Sequence, residues 1–396
     1  MRYAILLLLS LLAPLACEGD REEEQPTPSP AATSLSPTPT PAAAVDTLAF
    51  IRDGDILLIN ADGTDERRLN LSGVESFSWV SSDELDVVTG ADQSGHLLVD
   101  LEGNAEPLPF RSGGSWSRDG TLYVVPVDEQ VVVFNRDGSE AARLDVEPPV
   151  ETGEKPRQCG PGGSPDRLVF SRPEFSSDQQ SILVVVNCVS RAGATGNLYA
   201  PVVSVLLVDG TQRQTDLQTN LEDGIGANVA PDGSRVAQFI RFGGSACSSD
   251  YSLFVADADG ANAQELTLPA ISDLGDVRVD LQGGLVSYDW SPDSDAVVAS
   301  FNASLCRTLE EDPYLREEPV VAGLYILRLD GSPEEKLVDG PTHSPAWSPS
   351  SRYIAHVSQE YFGQEIGPPL LRVIDLTTRE VNDLAEGVQP AWQPLP

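Results

Sequence analysis

The chain has 396 residues, 40% hydrophobic and only 6% aromatic, and that length exceeds one ordinary core, so several domains or a modular array is expected. Its 25 Lys and Arg face 61 Asp and Glu, a formal charge of −36, and the only lysines are Lys155 and Lys336. Such an excess repels phosphate backbones and anionic lipid surfaces, which argues against nucleic acid as a partner and otherwise serves solubility.

In chain order, Met1-Arg2 leads into an apolar run from Tyr3 to Leu12 and then Ala13-Pro14-Leu15-Ala16-Cys17. The run is too short for a permanent bilayer-spanning helix and has the proportions of a signal peptide, residues 1–16. Its end resembles a bacterial lipobox, with Pro14 where Leu is usual. The resemblance implies cleavage before Cys17, lipidation of that residue and an extracytoplasmic, membrane-tethered chain. The plainer alternative is an ordinary cleaved signal with an incidental cysteine. Beyond Cys17, an acidic patch leads into Pro26, Pro28, Pro30, Pro37, Pro39 and Pro41 among Thr, Ser and Ala. A segment so poor in apolar surface is expected to be a disordered, extended stalk, residues 17–46.

From Thr47 to the end, residues 47–396, the pattern is strand and turn, with no amphipathic helix of three turns. One phrase recurs, clearest in Ser287-Tyr288-Asp289-Trp290-Ser291-Pro292-Asp293: a short strand ending on Trp, a tight turn, then a β-branched strand. Its copies centre on Trp79, Trp116, Phe175, Val229, Trp290, Trp347 and Trp392, and these take up all five tryptophans. Their shared position marks them as repeat-core residues packing between units, ahead of any role in carbohydrate stacking. Between copies lies a hairpin with an acidic residue before Gly, as at Asp62-Gly63, Glu102-Gly103, Asp137-Gly138, Asp209-Gly210, Asp259-Gly260 and Asp330-Gly331; the last copy, Asp375-Leu376-Thr377-Thr378, lacks the Gly. Gly supplies the positive φ of such turns. Each repeat is therefore two hairpins, four strands. The chain begins in the second strand of a repeat and stops after the first, so Val388–Trp392 is expected to complete the opening repeat and close a ring. This is the arrangement of an all-β, seven-bladed β-propeller of four-stranded antiparallel blades, with six or eight blades the weaker readings.

Spacings of 37, 59, 54, 61, 57 and 45 residues between copies leave long insertions at 145–163, 188–202, 269–284 and 302–322. Strand alternation sends all four to one mouth of the ring, opposite the Ser-Pro-Asp turns, and variable loops on a rigid scaffold are where binding is usually built. Cys159, Cys188, Cys247 and Cys306 fall at that mouth. An even number in an exported chain suggests disulfides, with three connectivities possible and Cys159–Cys188 with Cys247–Cys306 preferred because each joins loops of the same or adjacent blades. Zinc is disfavoured, since there is no C-x-x-C and His96, His343 and His356 are scattered.

Trp290-Ser291-Pro292-Asp293, Trp347-Ser348-Pro349, Pro231-Asp232-Gly233 and Asn60-Ala61-Asp62-Gly63 resemble the repeats of TolB-type propellers, relatives of the WD type, and the resemblance spans residues 47 to 396. It implies the fold and says little of function. Propellers of this kind also front prolyl-oligopeptidase-like peptidases, but no G-x-S-x-G elbow occurs here. The Asp/Asn/Gly turns look like fragments of calcium loops, yet lack the full spacing; turn chemistry is preferred, and no cofactor is expected. The expected function is a monomeric, non-catalytic envelope lipoprotein binding a protein or envelope ligand through its loop-rich face. The alternative is a glycan- or lactone-processing enzyme working in the central channel.

Overall fold

The structure, a computed structural model, describes residues 46–90, 95–128, 130–145, 168–170, 173–175, 181–188, 202–207, 212–215, 223–245, 248–257, 261–266, 277–279, 287–305, 321–359, 361–362 and 365–395. The leader 1–16, Cys17, the stalk up to residue 45 and Cys159, Cys247 and Cys306 lie outside these residues, as does the side chain of Cys188.

Every regular element described is a strand, and every pairing is antiparallel. β1 (Thr47–Arg52), β2 (Asp55–Asn60) and β3 (Arg67–Arg68) begin one sheet. The next holds β4 (Val74–Trp79), β5 (Glu84–Thr89), β6 (Gly95–Asp100) and β7 (Ala105–Pro107), and the next β8 (Ser115–Trp116), β9 (Leu122–Val127), β10 (Gln130–Asn135) and β11 (Glu140–Asp145). β12 (Leu168–Phe170) and β13 (Glu174–Phe175) both pair with β14 (Ser181–Cys188), which leads through β15 (Val202–Leu207) to β16 (Gln212–Thr215). β17 (Asp223–Val229), β18 (Arg235–Ser245), β19 (Ser248–Asp257) and β20 (Gln264–Leu266) follow. β21 (Val277–Val279) and β22 (Ser287–Trp290) share β23 (Ala296–Leu305), continued by β24 (Val321–Arg328) and β25 (Glu335–Asp339). The last sheet is β26 (Thr342–Trp347), β27 (Tyr353–Ser358), β30 (Leu370–Asp375) and β31 (Val381–Glu386), with the ribbon β28 (Tyr361–Phe362) and β29 (Glu365–Ile366) between its middle strands. β32 (Val388–Trp392) starts nothing new. It pairs with β1, Leu48 opposite Trp392, so the chain's last strand is the innermost strand of its first sheet.

The repeated turn has a local cause. After Trp116, Trp290 and Trp347 comes a serine whose Oγ accepts the backbone N–H five residues on: Leu122 N to Ser117 at 2.9 Å, Ala296 N to Ser291 at 3.0 Å, Tyr353 N to Ser348 at 3.0 Å. The residue three after each serine has a positive φ, and it is Gly120, Ser294 or Ser351. In the other hairpin the acidic residue works the same way. Asp62, Asp100, Asp137 and Asp330 accept the N–H two residues on, at 2.8 to 3.0 Å, and each precedes or approaches a glycine with φ of 79° to 85°. Hydrogen bonds from the side chains of Thr64, Asn104, Ser139 and Ser332, and then from the backbone N–H groups, hold these carboxylates below their usual pKa.

Packing lies between sheets, not within a single centre. In β1, Leu48 and Phe50 face Val373 and Trp392 on one side while Ala49 and Ile51 face Leu85 and Val87 on the other. The period-two alternation of a strand thus feeds two seams, and each fully buried Leu or Phe contributes roughly 1.5–3 kcal/mol. Two of the expected insertions are partly strand. Val277–Val279 pairs with Ala303–Leu305, and β23 runs opposite Val321–Arg328 as far as Ala303, because the hairpin ladder continues past the compact blade. Of the four insertions, 146–163, 189–201, 269–276, 280–284 and 306–320 lie outside the described residues.

Candidate functional site

Each repeat-core position is the last residue of an inner strand: Trp79 of β4, Trp116 of β8, Phe175 of β13, Val229 of β17, Trp290 of β22, Trp347 of β26 and Trp392 of β32. Trp290 and Trp392 are buried and the other five half-buried. Their indoles tie neighbouring sheets. Trp79 Nε1 donates to Ala391 O at 3.0 Å, Trp392 Nε1 to Ala346 O at 2.9 Å and Trp290 Nε1 to Asn228 O at 3.2 Å, in each case the carbonyl just before the preceding sheet's own repeat residue. Trp116 Nε1 instead reaches the carboxylate of Asp86 on β5, at 2.8 Å. Trp347 Nε1 is buried with no hydrogen-bond partner.

These residues also line a concavity of about 490 Å³ on the side of the Trp-Ser turns. Two of its walls are the same five-residue phrase, Pro345-Ala346-Trp347-Ser348-Pro349 and Pro390-Ala391-Trp392-Gln393-Pro394. Before each phrase sits a non-glycine residue in the left-handed region, Ser344 (φ 51°) and Gln389 (φ 54°). Ser344 lies where the β26–β27 register shifts, and Gln389 where β32 shifts against β1. A bulge re-aims the strand that carries it, and here it places proline, alanine and tryptophan along the pocket. Ser287 Oγ accepts Ser344 N–H at 2.7 Å, and Gln389 Nε2 donates to Glu75 O at 3.3 Å, so neighbouring sheets hold both bulges.

Four side chains of the lining are polar, Ser117, Arg118, Tyr288 and Asp289. Asp289 on β22 accepts the backbone N–H of Trp290 at 2.9 Å and, across the seam, that of Trp347 at 2.7 Å. Burial still pushes its carboxyl up to about 6, and the nearby Glu174 charge adds to the rise. Its neighbour Tyr288 donates to Ala237 O at 2.6 Å, and burial raises its phenol. Arg118 is exposed on the rim. The histidines do not gather here. His343 on β26 is half-buried and pushed down by burial, His356 is fully buried in β27, and His96 lies on β6 against Asp86. Among the described residues no three His, Cys, Asp or Glu side chains are grouped as metal ligands. The sequence reading did not single out Asp289, Arg118, Pro345 or Pro390. The usable signal was the twice-written P-A-W-x-P pattern, which repeats at a spacing of 45 residues.

Four-stranded antiparallel sheets side by side, inner strands stapled around an axis and β32 closing onto β1 leave one architecture. The chain is a β-propeller. The first two of three similar known structures agree on that fold. Oligogalacturonate lyase from Vibrio parahaemolyticus is 10% identical with a TM-score of 0.54, over 86% of this chain and 86% of that chain. The β-propeller domain of the trilobed protease from Pyrococcus furiosus is 14% identical with a TM-score of 0.50, over 84% and 90%. TolB from Acinetobacter baumannii is 13% identical with a TM-score of 0.44, over 89% and 67%. No family model matches the chain, and no curated protein matches it in sequence.

Proposed function

We propose that this propeller is a seven-bladed, non-catalytic binding module of the cell envelope that takes an extended polypeptide segment of a partner protein into its axial pocket. One observation carries the reading: Trp79, Trp116 and the paired P-A-W-x-P walls form a concave aromatic and proline surface. Aromatic-lined grooves suit extended, proline-bearing chains, which lose little entropy on docking. On this reading the contact surface is on the Trp-Ser side of the ring, whereas the insertions lead to an expectation of the loop-rich mouth, most of which lies outside the described residues. Seven blades are favoured because each of the seven repeat residues ends a strand in a sheet of its own. The leader 1–16 followed by Cys17 supports a lipid tether, and the proline-rich segment after it supports a spacer. Metabolic labelling with a fatty acid should mark the wild-type chain and not Cys17→Ala.

The test of the site is photo-cross-linking in intact cells. A benzophenone side chain placed at Arg118 or Pro349 should give partner adducts, and one at Glu140 on the outer strand β11 should give none. Equal labelling from all three positions would remove the pocket as the contact site.

A second reading is a glycan- or lactone-processing enzyme, favoured by one group, the Asp289 carboxyl raised to about 6 inside the pocket. Turnover of such a substrate that disappears in Asp289→Asn would establish it.

A further inference from the structure

The lining of the pocket is not spread evenly around the ring. Its described residues come from β22, β26, β32, β4 and β8 or the turns after them, five inner strands in sequence around the axis, whereas β13 and β17 contribute none. Along that arc the middle three strands offer aromatic, proline and other apolar side chains. The two ends are charged with opposite sign, Asp289 at the β22 end and Arg118 after β8 at the other. The two groups therefore sit on blades separated by three others, and neither neutralises the other across the arc. Asp289 is already holding two backbone N–H groups, and Arg118 has no ion pair among the described residues.

We propose that the arc selects a dipolar peptide segment, one that places a basic side chain at Asp289 and an acidic side chain at Arg118, with apolar or proline residues between them on the tryptophan wall. This rests on the axial pocket being the binding site. The selection has a physical reason. On a chain of net charge −36, any cationic ligand is attracted to much of the surface, and attraction alone gives no orientation. Arg118 turns that attraction into direction, because a basic group at its end of the arc is repelled while an acidic group is drawn in. A charged ligand group seated beside the half-buried Asp289 is partly removed from water, where a mismatch is costly and a match discriminates.

The experiment uses the full chain and blocked synthetic pentapeptides, with dissociation constants measured by calorimetry. The probes are Arg-Pro-Pro-Pro-Glu, its reversed-charge isomer Glu-Pro-Pro-Pro-Arg, the neutral Gln-Pro-Pro-Pro-Gln and the like-charged Arg-Pro-Pro-Pro-Arg and Glu-Pro-Pro-Pro-Glu. One of the two dipolar isomers is expected to bind at least tenfold more tightly than the other four. Asp289→Asn, which keeps one of the two acceptor oxygens facing the Trp290 and Trp347 amides, and Arg118→Gln should each reduce it to the level of the neutral peptide. If all five bind within threefold of one another and all are weakened by Pro349→Ala with Pro394→Ala, charge selection is wrong and the pocket reading survives. If none binds at millimolar concentration, or if the proline variants change nothing, the pocket reading fails and this inference goes with it. Circular dichroism of each variant separates lost binding from lost folding.

Discussion

Two buried histidines in the same fold carry opposite consequences for pH. His96 places Nε2 2.7 Å from Asp86 Oδ1 and Nδ1 2.9 Å from Phe110 O, two acceptors, so both ring nitrogens must donate and the imidazolium form is held. Burial pulls its pKa down, but the Asp86 hydrogen bond and charge outweigh that and leave it raised. Its contribution is complete below the ordinary histidine value and is lost as pH rises through the folded one. His356 is the reverse case. It is fully buried, neither ring nitrogen has a partner, and burial pushes it down to about 3. The unfolded chain takes up that proton near pH 6.5 and the folded chain does not, so stability falls as pH drops from there toward 3. An orphaned buried polar group costs about 1–3 kcal/mol, so His356→Leu should stabilise by about that amount and flatten the acid limb in chemical denaturation. A lower midpoint at pH 7 would contradict it. Asp289, pushed up to about 6, holds its proton better folded than unfolded, and its contribution is lost as pH rises from about 4 through about 6. Asp289→Asn should therefore abolish the loss of stability between about pH 4 and about pH 6, on top of a pH-independent cost for replacing one of the two acceptor oxygens, read from denaturation midpoints across that range.

At the scale of the element, the hairpin at Asp375 shows what the missing glycine means. The turns at Gly63, Gly103 and Gly138 close over three residues, as Gly63 N to Asn60 O at 2.9 Å, with glycine in the left-handed position. Here the turn is one residue longer: Arg379 N donates to Asp375 O at 2.7 Å, and Arg379 itself has φ 65°. A left-handed non-glycine residue costs about 1–2 kcal/mol. What Arg379 gains in return is an ion pair with Glu335 between half-exposed partners, worth little in water. Arg379→Gly is expected to raise stability by roughly 0.5–1.5 kcal/mol, measured as a shift in thermal midpoint. Sequence inspection saw that this turn lacked its glycine. It could not see that the loop had lengthened to accommodate the loss, because turn length is set by where the two strands come into register.

The whole ring depends on β32, whose hydrogen bonds to β1 cover an edge that would otherwise expose Leu48, Ala49 and Ile51. Trp392 packs with Leu48, Phe50 and Val373, so this strand belongs to the seam on one side and supports Trp79 on the other through Ala391. A chain ending at residue 387 should lose cooperative thermal unfolding and become sensitive to limited proteolysis, not merely less stable by one strand. A truncated chain melting as sharply as the intact one would show that closure is dispensable.

Much of this was legible along the chain. The repeated Trp at the end of a short strand, the serine after it and the acidic residue beside glycine are local instructions, read through φ preferences and side-chain-to-backbone hydrogen bonds within five residues. Ring closure followed from the offset between the first and last repeats. What no local pattern contains is which sides of distant strands meet. Asp289 and Arg118 are separated by 171 positions in the chain, and only the closing of the sheets around an axis puts them at the two ends of one apolar arc. The pairing of Asp289 with the Trp347 amide and the burial of His356 were likewise settled by neighbouring sheets, because burial and electrostatic environment are properties of the packed seam and not of the strand that supplies the residue.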